Sequence, residues 1–398
     1  MFSLNKKLDP NLKSLLVFNS DKKYRVLIKY KNFEDSISKK ISLYNGSIIR
    51  YIELCNIICA SLNRKGIERL LEYPEIEYIC SDKYFSLCGM SISSANKVRI
   101  STASSLSGKG ISVGVIDSGV YPHRDLTTPF NRIDFFSDLI NGLSYPYDDN
   151  GHGTSICGII SGNGESSNNL YTGVAKSSSI CCFKAFDKTG KGFVSNILFA
   201  LQELIKMSSE YNIKVLCLPF ETLFFDSFIF NNFNNLLEIA ISKGITPIVP
   251  SGSNINEDDS LTGIALSKNC ITISGIDTTK TITIGYPYSS AGSSKKDTKP
   301  DFCAACVDIM SLNSNTNYLS EKNNIRIFAP KLTSSYKSFT GTSAATAYIS
   351  GLCCLLYESD PNLGFEDIVS LLKLASIQLD IPKNQQGYGR ININKIKK

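Results

Sequence analysis

Apolar residues run in short continuous stretches through the middle and C-terminal parts of the chain, separated by longer amphipathic segments. Gly110-Ile111-Ser112-Val113-Gly114-Val115-Ile116, Ser179-Ile180-Cys181-Cys182-Phe183-Lys184-Ala185, Lys214-Val215-Leu216-Cys217-Leu218, Ile245-Thr246-Pro247-Ile248-Val249 and Ile271-Thr272-Ile273-Ser274 each read as a buried strand. From Val194 to Met207 the apolar residues Ile197, Leu198, Leu201, Leu204 and Ile205 recur at helical spacing. The stretch from Ser343 to about Glu358 is apolar nearly all round and holds the small residues Ala344, Ala345, Ala347 and Gly351, which predicts a helix buried inside its domain. Continuous apolar strands alternating with helices predict an α/β fold in which helices cover both faces of a mainly parallel sheet.

The first part of the chain has a different rhythm. Strands are expected at Tyr24–Tyr30, Ser47–Ile52, Asn56–Leu62 and Ile76–Ile79, with helices between the first pair and at Gly66–Leu71. The order β-α-β-β-α-β is the split arrangement of a small α+β, ferredoxin-like unit. Residues 1–20 read as a poorly structured lead-in. A serine-rich linker follows, and the expected boundaries are 1–88, 89–107 and 108–398.

At 398 residues, with 42% hydrophobic and 20% charged residues, the chain has material for a large domain plus a small one, which excludes a disordered or fibrous reading. The net charge of +6 is spread along the chain, so no nucleic-acid partner is expected. No apolar run reaches membrane-span length, and Lys6 and Lys7 are followed by Asp9 and Pro10 rather than an apolar stretch. No membrane partner is expected, and the localisation expected is cytoplasmic, with leaderless export as the alternative. The 13 cysteines lie in apolar contexts and are expected to be small buried hydrophobes in a reducing compartment.

Three segments carry candidate chemistry. Asp117 ends a buried strand in Ile116-Asp117-Ser118-Gly119, at the carboxyl edge where open α/β sheets place their sites, although an aspartate before Ser-Gly also caps a turn. His152 opens a helix between two glycines in Asn150-Gly151-His152-Gly153-Thr154, either as a base or as a structural imidazole. Ser343 begins the buried helix in Gly341-Thr342-Ser343-Ala344, as an N-cap or as a hydroxyl beside amides that favour an anion. His123, the second of the chain's two histidines, lies in a loop and reads as structural. Together an acid, an imidazole and an alcohol suffice for nucleophilic catalysis. The imidazole takes the hydroxyl proton, and the carboxylate holds the imidazole in one tautomer.

Asp-Ser-Gly, His-Gly-Thr and Gly-Thr-Ser, in this order on these elements, resemble the subtilisin-like serine proteases, a family whose Asp, His, Ser order is a standard example of its kind. Lys299-Pro300-Asp301 and the closing Gly387-Tyr388-Gly389-Arg390 are also similar to that family. The resemblance runs from about residue 23 to the end. It implies a serine endopeptidase with Asp117, His152 and Ser343 as its catalytic residues, a polypeptide substrate and no organic cofactor. It also implies that the N-terminal unit is a pro-region acting as an intramolecular inhibitor, with self-cleavage between Asp82 and Asn96; a permanent accessory domain is the alternative.

The chain departs from the family at four places, two of which, Ala304-Ala305-Cys306 for its Ala-Pro-Gly and Ala347 for the proline four residues after the nucleophile, do not touch the catalytic residues. The turn that supplies the oxyanion amide reads Val249-Pro250-Ser251-Gly252-Ser253-Asn254, so the donor is Ser253 in one alignment and Asn254 in another. The substrate-binding strand reads Leu218-Pro219-Phe220, with Gly252 across the cleft; Pro219 removes an edge donor and Phe220 is expected to narrow a pocket. These departures leave open a rival reading as a binding or regulatory pseudoprotease, and a narrower one as a processing protease for one partner polypeptide. Glu257-Asp258-Asp259 and Asp148-Asp149 are solvated loop charges, acids that favour basic substrate residues or, as in some family members, ligands for calcium. No metal site is assigned. Cys303 and Cys306 have CxxC spacing without a second pair, and Cys157, one turn beyond His152, is a candidate for thiol sensitivity.

Overall fold

Alternating apolar residues in the N-terminal strands force them to pair as a sheet with one covered face. The computed structural model describes residues 7–18, 23–31, 34–87, 106–222, 225–295 and 299–392, so nearly all of the expected linker lies outside the described residues. The chain divides into two compact units, one of Met1–Tyr84 with Phe193–Glu203, the other of Phe85–Gly192 with Leu204–Lys398.

In the first unit, α1 (Pro10–Phe18), β1 (Lys23–Tyr30), α2 (Glu34–Leu43), β2 (Ser47–Ile52), β3 (Ile57–Asn63), α3 (Arg64–Leu71) and β4 (Ile76–Ser81) follow in order. The sheet runs β2-β3-β1-β4 with every neighbour antiparallel, the ferredoxin-like arrangement expected from the sequence. Val26, Ile28, Ile58 and Ala60 form a core with Ile37, Ile41, Ile67 and Leu70 of the helices. The lead-in expected at 1–20 is corrected at α1. Asp9 caps this helix through a 2.8 Å bond from Leu12 N–H, Pro10 occupies its first position, and Leu12 and Leu16 are buried one turn apart.

The second unit holds β5 (Tyr84–Leu87), β6 (Ser112–Asp117), α4 (Arg124–Thr127), β7 (Ile133–Asp138), α5 (His152–Ser161), β8 (Ser179–Lys184), β9 (Lys191–Phe193), β10 (Ile213–Cys217), β11 (Phe220–Glu221), α7 (Ser227–Ser242), β12 (Thr246–Pro250), β13 (Ile271–Asp277), β14 (Ile284–Gly285), β15 (Phe302–Ala305), α8 (Thr342–Ser359) and α9 (Phe365–Ala375); Tyr84 of β5, Phe193 of β9 and most of α6 (Val194–Lys206), as far as Glu203, belong to the first unit. The main sheet runs β7-β8-β6-β10-β12-β13-β15 and then Arg390–Ile391, all parallel, with Ser376–Ile377 antiparallel at the edge. Alternate residues Val113, Val115, Val215, Cys217, Ile248, Ile271 and Ile273 face a core shared with α5 and α8. On the side of Phe220 the rings of Phe186, Phe220 and Phe233 pack 5.4 and 6.4 Å apart. This is a three-layer α/β fold with a mainly parallel sheet. Chain order reverses about β6, with β8 and β7 on one side and β10 and β12 on the other, so a crevice opens at the carboxyl end of β6.

Candidate functional site

Asp117 is the last residue of β6 and is fully buried. The chain then turns sharply at Gly119, with φ of 121° and Tyr147 O only 2.2 Å from where a Cβ would stand. Gly151, with φ of 97°, leads into α5, of which His152 is the first residue. A Cβ on Gly153 would lie 2.1 Å from Gly119 O and 3.0 Å from Asp117 Cβ, so glycine is what lets the start of α5 meet the end of β6. Ser343 is the second residue of the buried α8.

These elements bring the three side chains into one hydrogen-bonded series. His152 Nδ1 lies 2.9 Å from both Oδ1 and Oδ2 of Asp117, and His152 Nε2 lies 3.0 Å from Ser343 Oγ. Ser118 N–H donates to Asp117 Oδ1 at 2.6 Å. His152 and Ser343 are 8% and 4% exposed, so the series is shielded yet touches solvent at the imidazole and hydroxyl. A carboxylate that accepts at Nδ1 sets the tautomer with its proton there and leaves Nε2 as an acceptor for the hydroxyl.

A second carboxylate fastens the two loops together. Asp148, fully buried, accepts at Oδ1 from Ser118 Oγ (2.9 Å) and from the amides of Asn150 (3.1 Å) and Gly151 (2.8 Å). Its Oδ2 accepts from Thr154 N–H (2.8 Å) and Thr154 Oγ1 (2.6 Å), and Ser118 Oγ in turn accepts from Gly153 N–H (3.0 Å). Lys184 is also fully buried, with Nζ donating to Ser118 O, Asp149 Oδ1 and Phe186 O at 2.6, 2.6 and 3.0 Å. The reading of Asp148 as a solvated charge is thereby corrected. Its oxygens are filled by donors from both loops, one oxygen of Asp149 accepts from Lys184, and those of Asp258 accept from Ser294 and Asn384. Among the described residues no group of three or more His, Cys, Asp or Glu is placed to hold a metal.

The turn after β12 differs from both alignments weighed above. Ser253 donates its hydroxyl to Glu221 Oε1, and its N–H lies 2.6 Å from Glu221 Oε2. Asn254 Nδ2 faces Ser260 O (3.4 Å) and Thr262 Oγ1 (3.2 Å). Gly252, with φ of 103°, accepts from Thr342 Oγ1 at 3.3 Å, which joins this turn to the residue before Ser343. Leu218 is buried, its N–H donating to Ile248 O at 3.0 Å, and Pro219 follows it into β11. Phe220 is corrected: its ring is wholly buried against Phe186 and Phe233, so it narrows no pocket.

The next residue instead meets the turn after β12. Glu221 is 6% exposed, and burial raises its carboxyl above the ordinary glutamate range against the lowering effect of the Ser253 donors. It escaped the sequence reading because its partners lie some thirty residues away; the only signal was an acid directly after the apolar strand. In register, Glu221 stands opposite Ser86 and Phe220 opposite Leu87, so β5 lies antiparallel to β11, with β9 on its other side.

The remaining candidates are structural. His123 Nδ1 accepts from Asp125 N–H at 3.0 Å, and its Nε2 faces Ser335 O at 2.9 Å. Cys157 is fully buried with its thiol pushed well above the ordinary range by burial, which removes the expected thiol sensitivity. Cys303 and Cys306 are buried thiols raised in the same way, Cys303 to about 12.

Comparison with known proteins bears on this arrangement. The model of the subtilase family matches residues 108–389. Serine protease AprX of Bacillus subtilis is 30% identical over 298 residues, which is 72% of this chain and 66% of that protein. Subtilisin E of the same organism is 24% identical over 357 residues, 86% of this chain and 82% of that one. Fervidolysin from Fervidobacterium pennivorans superposes with a TM-score of 0.70 at 18% identity, covering 94% of this chain and 61% of its own, a likeness of fold. The chain thus spans just under two thirds of the length of AprX and of fervidolysin.

Proposed function

The chain belongs to the subtilase family, and on that premise we propose that it is a serine endopeptidase acting through Ser343. The observation that supports this most directly is the unbroken series from Asp117 through His152 to Ser343 Oγ. As Ser343 Oγ attacks a substrate carbonyl, its proton passes to His152 Nε2. The resulting imidazolium is stabilised by Asp117, and the proton then goes to the leaving amine. The carbonyl oxygen becomes negative beside the first turn of α8, where the amide dipoles point their positive ends. Water repeats the sequence on the acyl-enzyme and releases the acid.

Under this reading the N-terminal unit is a pro-region, and β5, the strand that follows it in the chain, occupies the place of a substrate strand along β11. Self-cleavage follows β5, in the 88–96 stretch. The test is mass spectrometry of the wild-type chain beside Ser343→Ala, with a fluorophosphonate probe. A shortened wild type carrying an adduct on Ser343, next to a full-length variant, is the expected outcome. A wild type that neither shortens nor takes the probe sinks the reading.

One observation favours the rival. Asn254 Nδ2 is directed to Ser260 and Thr262, and the Ser253 hydroxyl to Glu221, so neither side chain is aimed as the family's oxyanion amide. Losing such a donor lowers kcat by roughly 10²–10³, a magnitude drawn from this same family. A chain with that loss is a slow peptidase, and one that labels on Ser343 without turning over peptides is a binding protein on a peptidase frame.

A further inference from the structure

The carboxylate of Glu221 is an unusual object. It is 6% exposed, and among the described residues its only partner is Ser253, which gives it one N–H and one O–H. No lysine, arginine or histidine among those residues forms an ion pair with it. A buried carboxylate without a cation is held at a loss unless something else supplies the charge. Two donors already aimed at its two oxygens favour the ionised form, and each oxygen keeps a lone pair for a further donor.

Its position says where that donor comes from. Glu221 lies on β11, the strand that pairs with the chain's own β5, and it stands directly opposite residue 86 in that register. In an antiparallel pair, residues directly opposite and two positions along share one face. On its other side Glu221 touches the Gly252 turn, where Oε2 lies 2.6 Å from the place of a Cβ, and that turn accepts from Thr342, the neighbour of Ser343. The carboxylate therefore lies between the peptide-pairing strand and the segment that adjoins the nucleophile.

Resting on the peptidase reading above, we propose that Glu221 is a specificity-determining residue that takes the ammonium or guanidinium of a substrate lysine or arginine. The basic residue sits opposite Glu221 on the bound strand, or two positions nearer the scissile bond. Ser253 is a positioning residue that holds the carboxylate toward the cleft.

The experiment is a positional peptide library cleaved by the processed wild type and by Glu221→Gln, both first titrated with a fluorophosphonate on Ser343. Expected is a preference of at least tenfold for lysine or arginine over methionine at one of the two positions, abolished in Glu221→Gln once each rate is divided by the labelled fraction of that protein. Equal side-chain rankings in the two proteins overturn the proposal. If neither protein labels, the peptidase reading fails by itself, and Glu221 is tested in full-length Ser343→Ala. There Ser86→Lys is expected to raise Tm by several degrees more than Ser86→Met, with the difference lost when Glu221→Gln is added. Equal shifts with and without Glu221 overturn the proposal.

Discussion

Asp117 offers both carboxylate oxygens to one nitrogen of His152, each at 2.9 Å from Nδ1. Such symmetry holds the imidazole plane as well as its tautomer. Asp117→Asn replaces one acceptor with an N–H donor and favours the wrong tautomer. The expected outcome is a fall in kcat of about 10⁴ with KM nearly unchanged, read from steady-state peptide hydrolysis.

Asp148 joins the loop after β6 to the first turn of α5 by five hydrogen bonds. Asp148→Ala leaves several buried donors without acceptors. Urea denaturation should show a loss of roughly 2–5 kcal/mol, and labelling of Ser343 should slow. An unchanged denaturation midpoint would show that this carboxylate does not fasten the two loops.

Gly153→Ala tests the close approach of α5 to β6. The new methyl would stand 2.1 Å from Gly119 O, so helix and turn must move apart and His152 with them. A loss of at least 10² in kcat/KM is expected, accompanied by a lower Tm. A fully active Gly153→Ala would mean that the approach is looser than these distances.

Burial raises the Glu221 carboxyl above its ordinary value of 4.5. Between that value and the raised one, the folded chain binds more protons at this group than the unfolded chain. Stability contributed here is therefore present at low pH and declines as pH rises through the window. Tm of the full-length Ser343→Ala chain relative to its Glu221→Gln derivative should fall over that range. A constant difference contradicts the raised value.

Cys157 lies one turn beyond His152 but is fully buried, with its thiol held in the neutral form. Treatment of the folded protein with iodoacetamide at pH 8 should leave fluorophosphonate labelling of Ser343 unaltered, and peptide mapping should find Cys157 unmodified. Rapid inactivation with an adduct on Cys157 would show that α5 opens far more readily than its packing implies.

Elements with a strong local period were legible in the residues alone. The spacing predicts a helix at 194–207, and one is found at Val194–Lys206; the apolar run from Ser343 lies in Thr342–Ser359. Several helices were not anticipated, two of them instructive. In Pro10–Phe18 Leu12 and Leu16 mark the buried face among the described side chains, and in Ser227–Ser242 asparagines interrupt Ile229, Phe233, Leu236, Leu237 and Ala240, although their spacing was helical. Asp117, His152 and Ser343 could be named because each sits in a short stretch with its own turn or helix signal. Asp148 and Glu221 could not, since an acid in a polar loop and an acid after a strand look the same whether solvated or buried.

By itself the sequence determined the α/β alternation, the split N-terminal unit and the three residues that form a hydrogen-bonded series, because apolar periodicity and glycine-bounded turns act over a few neighbouring positions. Only the tertiary structure decided that Phe220 turns into the core, that Glu221 engages Ser253, that Asn254 faces Ser260 and Thr262, and that Asp148 gathers donors from two loops. Hydrogen bonding and desolvation of those groups depend on partners brought close by folding, and no local pattern in the chain encodes which face of a two-residue strand will meet them.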